Sequence, residues 1–542
     1  MLISSCAQIV TPNGGKSDLN PPKAKSVIPL DKSVNFSSNK IEFVFDEYIQ
    51  LKDAQKQILI SPPMKSFPEL KVKGKKLIVE ILDTLKPKTT YTINFGNAVT
   101  DITEYNPVKD FKYVFSTDSL LDSLKVSGII SNSFSQLPDD NMLVALYKTS
   151  NQNLDSCAQK NLPDYFAKSD KLGVFNIENV KEGDYYIAAF SDANSDYLYQ
   201  SDDERIAFSD TMISLSKPET KIDLKSFLAE PFKLLVKKAV PSSNFLQIEL
   251  NKRPKQKIEI SALQKLPTNW AKIEHSKNLD SIKVWFSNAT LALDSINIIV
   301  SDGQKDLDTI DVNLKSMKKT NATGRSGKQI LSIIPSNLLL GKFLLPANSL
   351  TIKASMPISN YDETKFFIVH SKDTSTCKIQ KLDSLGRNFK IISEFIVDSA
   401  YTLRLKQGAF NSINGLENDT SHVDFRIQNP KDIGSLKLYI NCPDSTMQYV
   451  YQLLNEQNAV VDEQKISGLK TLHYKQLQPG KFSLKLIADN NKNGFWDTGN
   501  YNKKQQPEKI YNYSGSLVVR PNWDLEETWD LVNIKPKKTT KK

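Results

Sequence analysis

Short runs in which apolar and polar residues alternate dominate this chain, and they restrict it to β structure. Ile41-Glu42-Phe43-Val44-Phe45, Lys76-Leu77-Ile78-Val79-Glu80, Thr90-Tyr91-Thr92-Ile93-Asn94-Phe95 and Phe111-Lys112-Tyr113-Val114-Phe115 are the clearest. A period of two sends one set of side chains inward and the other outward, as in a half-buried antiparallel strand. Each run is brief and bounded by turn residues, which predicts sandwiches with short connections. A chain of 542 residues is too long for one hydrophobic core, since cores stop growing at about 250–300 residues. About four or five domains are expected.

Two internal repeats set the order of those domains. Phe175, Val180, Gly183 and Asp192 recur at identical spacing as Leu472, Leu477, Gly480 and Asp489. Thr90-Tyr91-Thr92 followed by Phe115 recurs as Tyr401-Thr402 followed by Phe425, with 24 residues from Tyr to Phe in both copies. The chain therefore reads as two kinds of module, a middle piece, and the same two kinds again. The middle piece has its own strand runs at Phe245–Leu250, Ser281–Phe286 and Ile296–Val300.

The segment 22–118 carries Pro29-Leu30-Asp31, then IEFVFDEYI, then LKPKTTYTINFGNAVTD and a closing FKYVFST. It resembles the bacterial Ig-like domain of S-layer and surface proteins. The segment 122–222 places Gly173-Val174-Phe175 before Gly183-Asp184-Tyr185, and resembles the transthyretin-like fold of carboxypeptidase regulatory domains. That resemblance implies a non-catalytic sandwich. The fold expected is all-β, a tandem array of about five β-sandwich domains behind a lipoprotein tether. Its parts are Ig-like at 22–118, transthyretin-like at 122–222, Ig-like at 224–315, a linker at 316–328, Ig-like at 329–429, transthyretin-like at 431–534 and a basic tail at 535–542.

Leu2-Ile3-Ser4-Ser5-Cys6 resembles a bacterial lipobox. The resemblance implies that Cys6 becomes the acylated first residue, with residues 1–6 holding the end of a signal peptide. Residues 7–21, rich in Pro, Gly and Asn, read as a flexible tether. No run of about 18 apolar residues is present to span a bilayer as a helix, so the lipid is the expected membrane attachment. Lipobox, first module and module order together resemble Ig-like-domain lipoproteins of the Bacteroidota outer membrane. No acidic stretch follows Cys6, which leaves the leaflet face open, cell surface or periplasmic.

Two loops carry oxygen side chains at metal-ligand spacing. In Asp489-Asn490-Asn491-Lys492-Asn493-Gly494-Phe495-Trp496-Asp497, oxygens stand at positions 1, 3, 5 and 9 and glycine at 6, as in an EF-hand-like calcium loop. Phe495 stands at position 7, which contributes a main-chain carbonyl in such loops. Position 12 departs from the pattern, with Asn500 in place of a bidentate glutamate. The equivalent loop Asp192, Asn194, Asp196 has Tyr197 where glycine is expected. Calcium is the candidate cofactor, and an Asx-rich turn capped by its own side chains is the alternative reading. Tyr197, Tyr199, Tyr501, Trp523 and Trp529 near the loops read as core packing or as a contact platform for sugar or protein.

The net charge of +10 comes from scattered lysines with no RRM-like, zinc-finger or basic-helix signature, so no nucleic-acid partner is expected. Cys157, Cys377 and Cys442 show no CxxC or other metal spacing. No HExxH, GxSxG, P-loop or Cys–His arrangement appears, so no catalytic residue is assigned. The expected role is a lipid-anchored, non-enzymatic scaffold or accessory subunit that holds outer-membrane proteins together. The alternative is a surface adhesin that binds glycan.

Overall fold

The computed structural model describes residues 18–149, 156–200, 203–319 and 331–532. Cys6, the tail 535–542 and most of the expected linker 316–328 lie outside them. The described chain forms two compact units. One comprises the residues through Ala229 together with Asp497–Lys509, and the other Glu230–Trp496 with the residues from Ile510 on.

The first unit opens with a sandwich. Strand Lys40–Phe45 buries Ile41, Phe43 and Phe45 and leaves Glu42 and Val44 half-exposed, so the alternation becomes a two-faced strand. It lies in a 4-stranded sheet ordered Ala24–Ile28, Lys40–Phe45, Lys76–Glu80, Glu69–Lys73. The opposing 3-stranded sheet runs Leu59–Ser61, Thr90–Asn94, Lys112–Ser116. Between them Phe43 meets Phe95 and Tyr113 edge-on, at 5.4 and 5.5 Å.

The Tyr-to-Phe repeat has a structural cause. Tyr91 Oη accepts the Lys86 N–H at 2.8 Å and its ring stacks on Phe115 at 5.3 Å. In the second copy Tyr401 Oη accepts the Ile396 N–H at 2.8 Å and the ring stacks on Phe425 at 5.7 Å. Each tyrosine pins the turn before its own strand while its ring fills the core, as in a tyrosine corner.

The second module is a 9-stranded sheet. Strands Leu143–Lys148 and Gly183–Phe190 are buried on both faces, with Val144, Leu146 and Ile187 in one core and Leu143, Ala145, Ala188 and Phe190 in another. That explains why their sequences read as continuous apolar runs. The boundary expected at residue 224 moves. Strand Leu224–Leu228 runs parallel to Leu124–Asn132 and antiparallel to Arg205–Phe208, because Leu224 and Phe227 are needed in this module's cores.

In the second unit, the middle piece is a sandwich with the strand order of the first. One sheet runs Val236–Pro241, Phe245–Leu250, Ser281–Phe286, Ala271–His275, and the other Glu259–Ala262, Ser295–Ser301, Asp306–Asn313. Helix Leu314–Lys319 closes it. Leu314 and Met317, three residues apart and so on one helix face, enter its core. Residues expected to start the linker thus belong to the module.

The fourth module repeats the same order again, as Ile333–Pro335, Thr351–Ala354, Asn388–Ile392, Lys378–Lys381. Its facing sheet runs Phe343–Leu344, Ser421–Ile427, Ala400–Leu405, Phe366–His370, Asp373–Thr376. In the last module Gly434–Asn441 pairs antiparallel with Leu469–Leu477 and parallel with Asp524–Asp530. Its other sheet runs Val460–Ile466, Gln448–Asn455, Gly480–Asp489, Ile510–Asn512, which matches Tyr165–Lys168, Leu143–Lys148, Gly183–Phe190, Arg205–Phe208 of the second module. The chain is therefore an all-β array of sandwiches.

Candidate functional site

The two oxygen-rich loops are the same turn, bond for bond. Asp489 Oδ1 and Oδ2 accept the N–H groups of Asn493 and Gly494 at 2.9 and 2.8 Å. Asn491 Oδ1 accepts from Asn493 N at 3.1 Å, and Asn493 Oδ1 from Phe495 N at 2.8 Å. In the second module Asp192 accepts from Asp196 N and Tyr197 N, each at 3.1 Å. Asn194 Oδ1 accepts from Asp196 N at 3.3 Å and Asp196 Oδ1 from Leu198 N at 2.8 Å. Side-chain oxygens thus organise both turns from within.

Backbone angles match as well. Lys492 and Gly494 have φ of 60° and 88°, and Ser195 and Tyr197 have 61° and 64°. Tyr197 holds the left-handed conformation that glycine adopts at its counterpart, and its ring packs against Phe166 at 4.9 Å. Asp489 is buried and takes a further bond from Gln448 Nε2 at 2.6 Å. Burial raises the Asp192 carboxyl above its ordinary value, against the N–H groups that lower it. Asp497, the expected position 9, belongs with the first unit, where its N–H donates to Glu508 Oε2 at 3.0 Å. Among the described residues no group of three or more His, Cys, Asp or Glu side chains is placed to hold a metal ion.

Segment Asp497–Lys509 completes the second core of the second module. It folds back on itself through paired bonds between Asn500 and Gln505, at 2.8 and 2.9 Å. At its tip Tyr501 is 1% exposed, between Tyr199 at 5.7 Å and Phe208 at 5.5 Å. Its Oη accepts the Ala158 N–H at 3.3 Å and lies 3.7 Å from Cys157 Sγ. Burial drives this hydroxyl far above the ordinary tyrosine value, so it stays protonated. Lys504 Nζ sits 3.9 Å from the Tyr501 ring centroid. Gln506 Nε2 donates to Phe208 O and Asp210 Oδ1 at 2.9 and 2.8 Å. A Cβ at Gly499 would stand 2.6 Å from the Phe227 ring, so the approach needs glycine.

The sequence singled out Tyr501 only as one aromatic near a loop. Nothing local marks a segment whose partners stand some 300 positions earlier.

The second unit has a comparable join. Arg387, from the fourth module, reaches Glu274 and Trp285 of the middle sandwich. Trp285 belongs to the fourth module's core cluster, although its strand lies in the middle one. Asn244 of the middle sandwich donates to Met356 Sδ at 3.6 Å across the same join, and Asn414 of the fourth module donates to the same sulfur at 3.6 Å.

Residues 18–117 match the family model of a bacterial Ig-like domain, which is the first sandwich. No curated protein matches the chain. Among solved structures, the Bacillus anthracis TIE protein is 11% identical, over 96% of this chain and 75% of that one, at a TM-score of 0.15. The BcpA major pilin subunit of Bacillus cereus is 10% identical over 75% of this chain and 98% of its own, at 0.15. A DUF3823 family protein from Bacteroides uniformis is 10% identical over 56% and 99%, at 0.14. Scores at this level describe no common arrangement, and the fold rests on the sheets themselves.

Proposed function

We propose that this chain is a non-enzymatic scaffold or accessory subunit of an outer-membrane protein complex, held to the membrane by lipid on Cys6. The observation that carries the reading is the chemistry spent on joining modules within each unit. The Arg387–Glu274–Trp285 cluster fixes the middle sandwich to the fourth, and the Tyr501 segment seals the second. Sandwiches joined this way keep edges and outer faces in fixed register, which suits the binding of several partners through strand addition or loops. The bacterial Ig-like match over 18–117 supports an envelope location.

Affinity purification of the chain from gently solubilised native membranes tests the reading. Stable co-purification of outer-membrane proteins is the expected result. Cys6→Ser, expressed with a complete signal peptide, is expected to lose fatty-acid labelling and to leave the membrane fraction. If no complex forms and the soluble chain binds or cleaves a glycan, the scaffold reading fails.

A further inference from the structure

In the first sandwich the outer face of the 3-stranded sheet is already occupied. Thr92 Oγ1 accepts from Asn179 Nδ2 at 2.9 Å, Lys112 pairs with Glu178 at 2.9 Å, and Ser61 Oγ accepts the Phe166 N–H at 3.0 Å. Strands of the second module, one bearing an acidic residue, thus lie across this face. The fourth sandwich repeats the face on Phe366–His370, Ala400–Leu405 and Ser421–Ile427. Here the following module docks elsewhere. Gln476, which stands one residue before Leu477 as Asn179 does before Val180, accepts the Ala347 N–H at 3.2 Å.

The repeated face is therefore open, and it is concave. Adjoining grooves of about 420 and 660 Å³ share Thr402 and Asp424. Phe367, Arg404 and His422 are cross-strand neighbours on it, and Lys406 Nζ lies 4.9 Å from the Phe367 ring centroid. Asp424 already accepts the Thr402 hydroxyl at 2.8 Å. The other described arginines have partners: Arg205 with Asp139, Arg387 with Glu274, Arg426 with Asp398, and Arg253 and Arg520 against Phe495 and Trp523. The Arg404 side chain, exposed beside the groove, makes no ion pair and no cation–π contact among the described residues.

We propose that this face takes an extended acidic segment of a partner protein, laid in the groove across the sheet with its carboxylates against Arg404, Lys406 and His422. The inference rests on the scaffold reading and names the partner's chemistry. Fluorescence anisotropy of a labelled, alternating Thr–Glu peptide with the full chain tests it, with a Thr–Lys peptide and oligogalacturonate as further probes. The Thr–Glu peptide is expected to bind and the Thr–Lys peptide not. Arg404→Glu and Lys406→Glu, exposed changes that leave the melting temperature in place, are each expected to weaken binding about tenfold, the scale of one charge-assisted contact. Lys353→Glu, on the opposite sheet of the same module, is expected to change nothing. Equal binding by Arg404→Glu overturns the proposal, as does binding of oligogalacturonate in place of the peptide. Co-purification of membrane partners undiminished by Arg404→Glu would remove this face and leave the scaffold reading standing. Peptide binding without any native complex would do the reverse.

Discussion

Arg387 Nη1 donates to both carboxylate oxygens of Glu274 at 2.7 Å, across 113 positions of sequence and between two sandwiches of one unit. Arg387 is 8% exposed. Its Nε donates to Ala354 O at 3.1 Å, its guanidinium lies 5.1 Å from the Trp285 ring centroid, and Trp285 Nε1 donates to Glu274 Oε2 at 2.8 Å. The Arg387 guanidinium and the Glu274 carboxylate thus have partners in place of the water that burial removes, which is the condition for a buried pair to be tolerated.

Removing one member should therefore cost more than removing both. Glu274→Ala leaves a buried guanidinium uncompensated, a loss of about 3–5 kcal/mol. The double change Glu274→Leu with Arg387→Met is expected to recover most of that loss. Denaturant unfolding of the full chain, read on the transition of the middle and fourth sandwiches, gives the coupling from the double-mutant cycle. Equal losses for the single and double variants would mean that the pair is incidental to the join.

The Tyr501 segment gives a chemical readout. Cys157 is buried beneath Tyr501, and burial holds its thiol above the ordinary value. Tyr501→Ala removes a buried ring, a local loss of about 3–5 kcal/mol, and should let the segment lift. Maleimide labelling of native protein, resolved by mass spectrometry, is then expected to speed up at Cys157. Labelling at Cys377 and Cys442, each buried in another module, should stay as it was. Unchanged labelling at Cys157 would mean that the core closes without the segment.

Alternation and repeat spacing made the sandwiches legible, because a half-buried strand writes its two faces directly into sequence. The Tyr91–Phe115 spacing was legible for the same reason, since corner and stack involve one strand pair. Leu224–Leu228 was misplaced because an apolar strand fits either neighbouring module, and only its parallel pairing with Leu124–Asn132 decides. Repeat spacing paired the two turns, but not their matching backbone, since a left-handed tyrosine at Tyr197 is not anticipated where glycine is the rule. Glu274 with Arg387, and Tyr501 with Cys157, left no local trace. Complementarity between residues so far apart is visible only once the chain is folded.

The Asp489 turn separates two readings of one motif. Its carboxylate holds two backbone N–H groups and Gln448. Asp489→Ala should cost about 1–3 kcal/mol by leaving such donors unpaired, and should do so even with chelator present. The calcium reading adds that calcium raises the melting temperature of the native chain and that Asp489→Ala abolishes the rise. A site half-saturated far below the ion concentration used would contribute about 2.7 kcal/mol at a hundredfold excess. No rise would leave a self-contained turn.

His275 should make the middle sandwich acid-sensitive. It ends the strand Ala271–His275, its Nδ1 is buried without a hydrogen-bond partner, and burial followed by the charge of Lys257 lowers its pKa below 6.5. Once unfolded, the imidazole returns to its ordinary value and takes up a proton at higher pH than it does in the folded chain. Between the two values the unfolded state binds more protons, so stability rises with pH there. The contribution is fully present above pH 6.5 and is lost as pH falls through that value toward the folded pKa. His275→Leu removes the titrating group and is expected to flatten this part of the profile while leaving stability near neutrality close to the parent. Thermal melts of both proteins across the mildly acidic range check it. Parallel profiles for the two would assign the acid sensitivity to other groups.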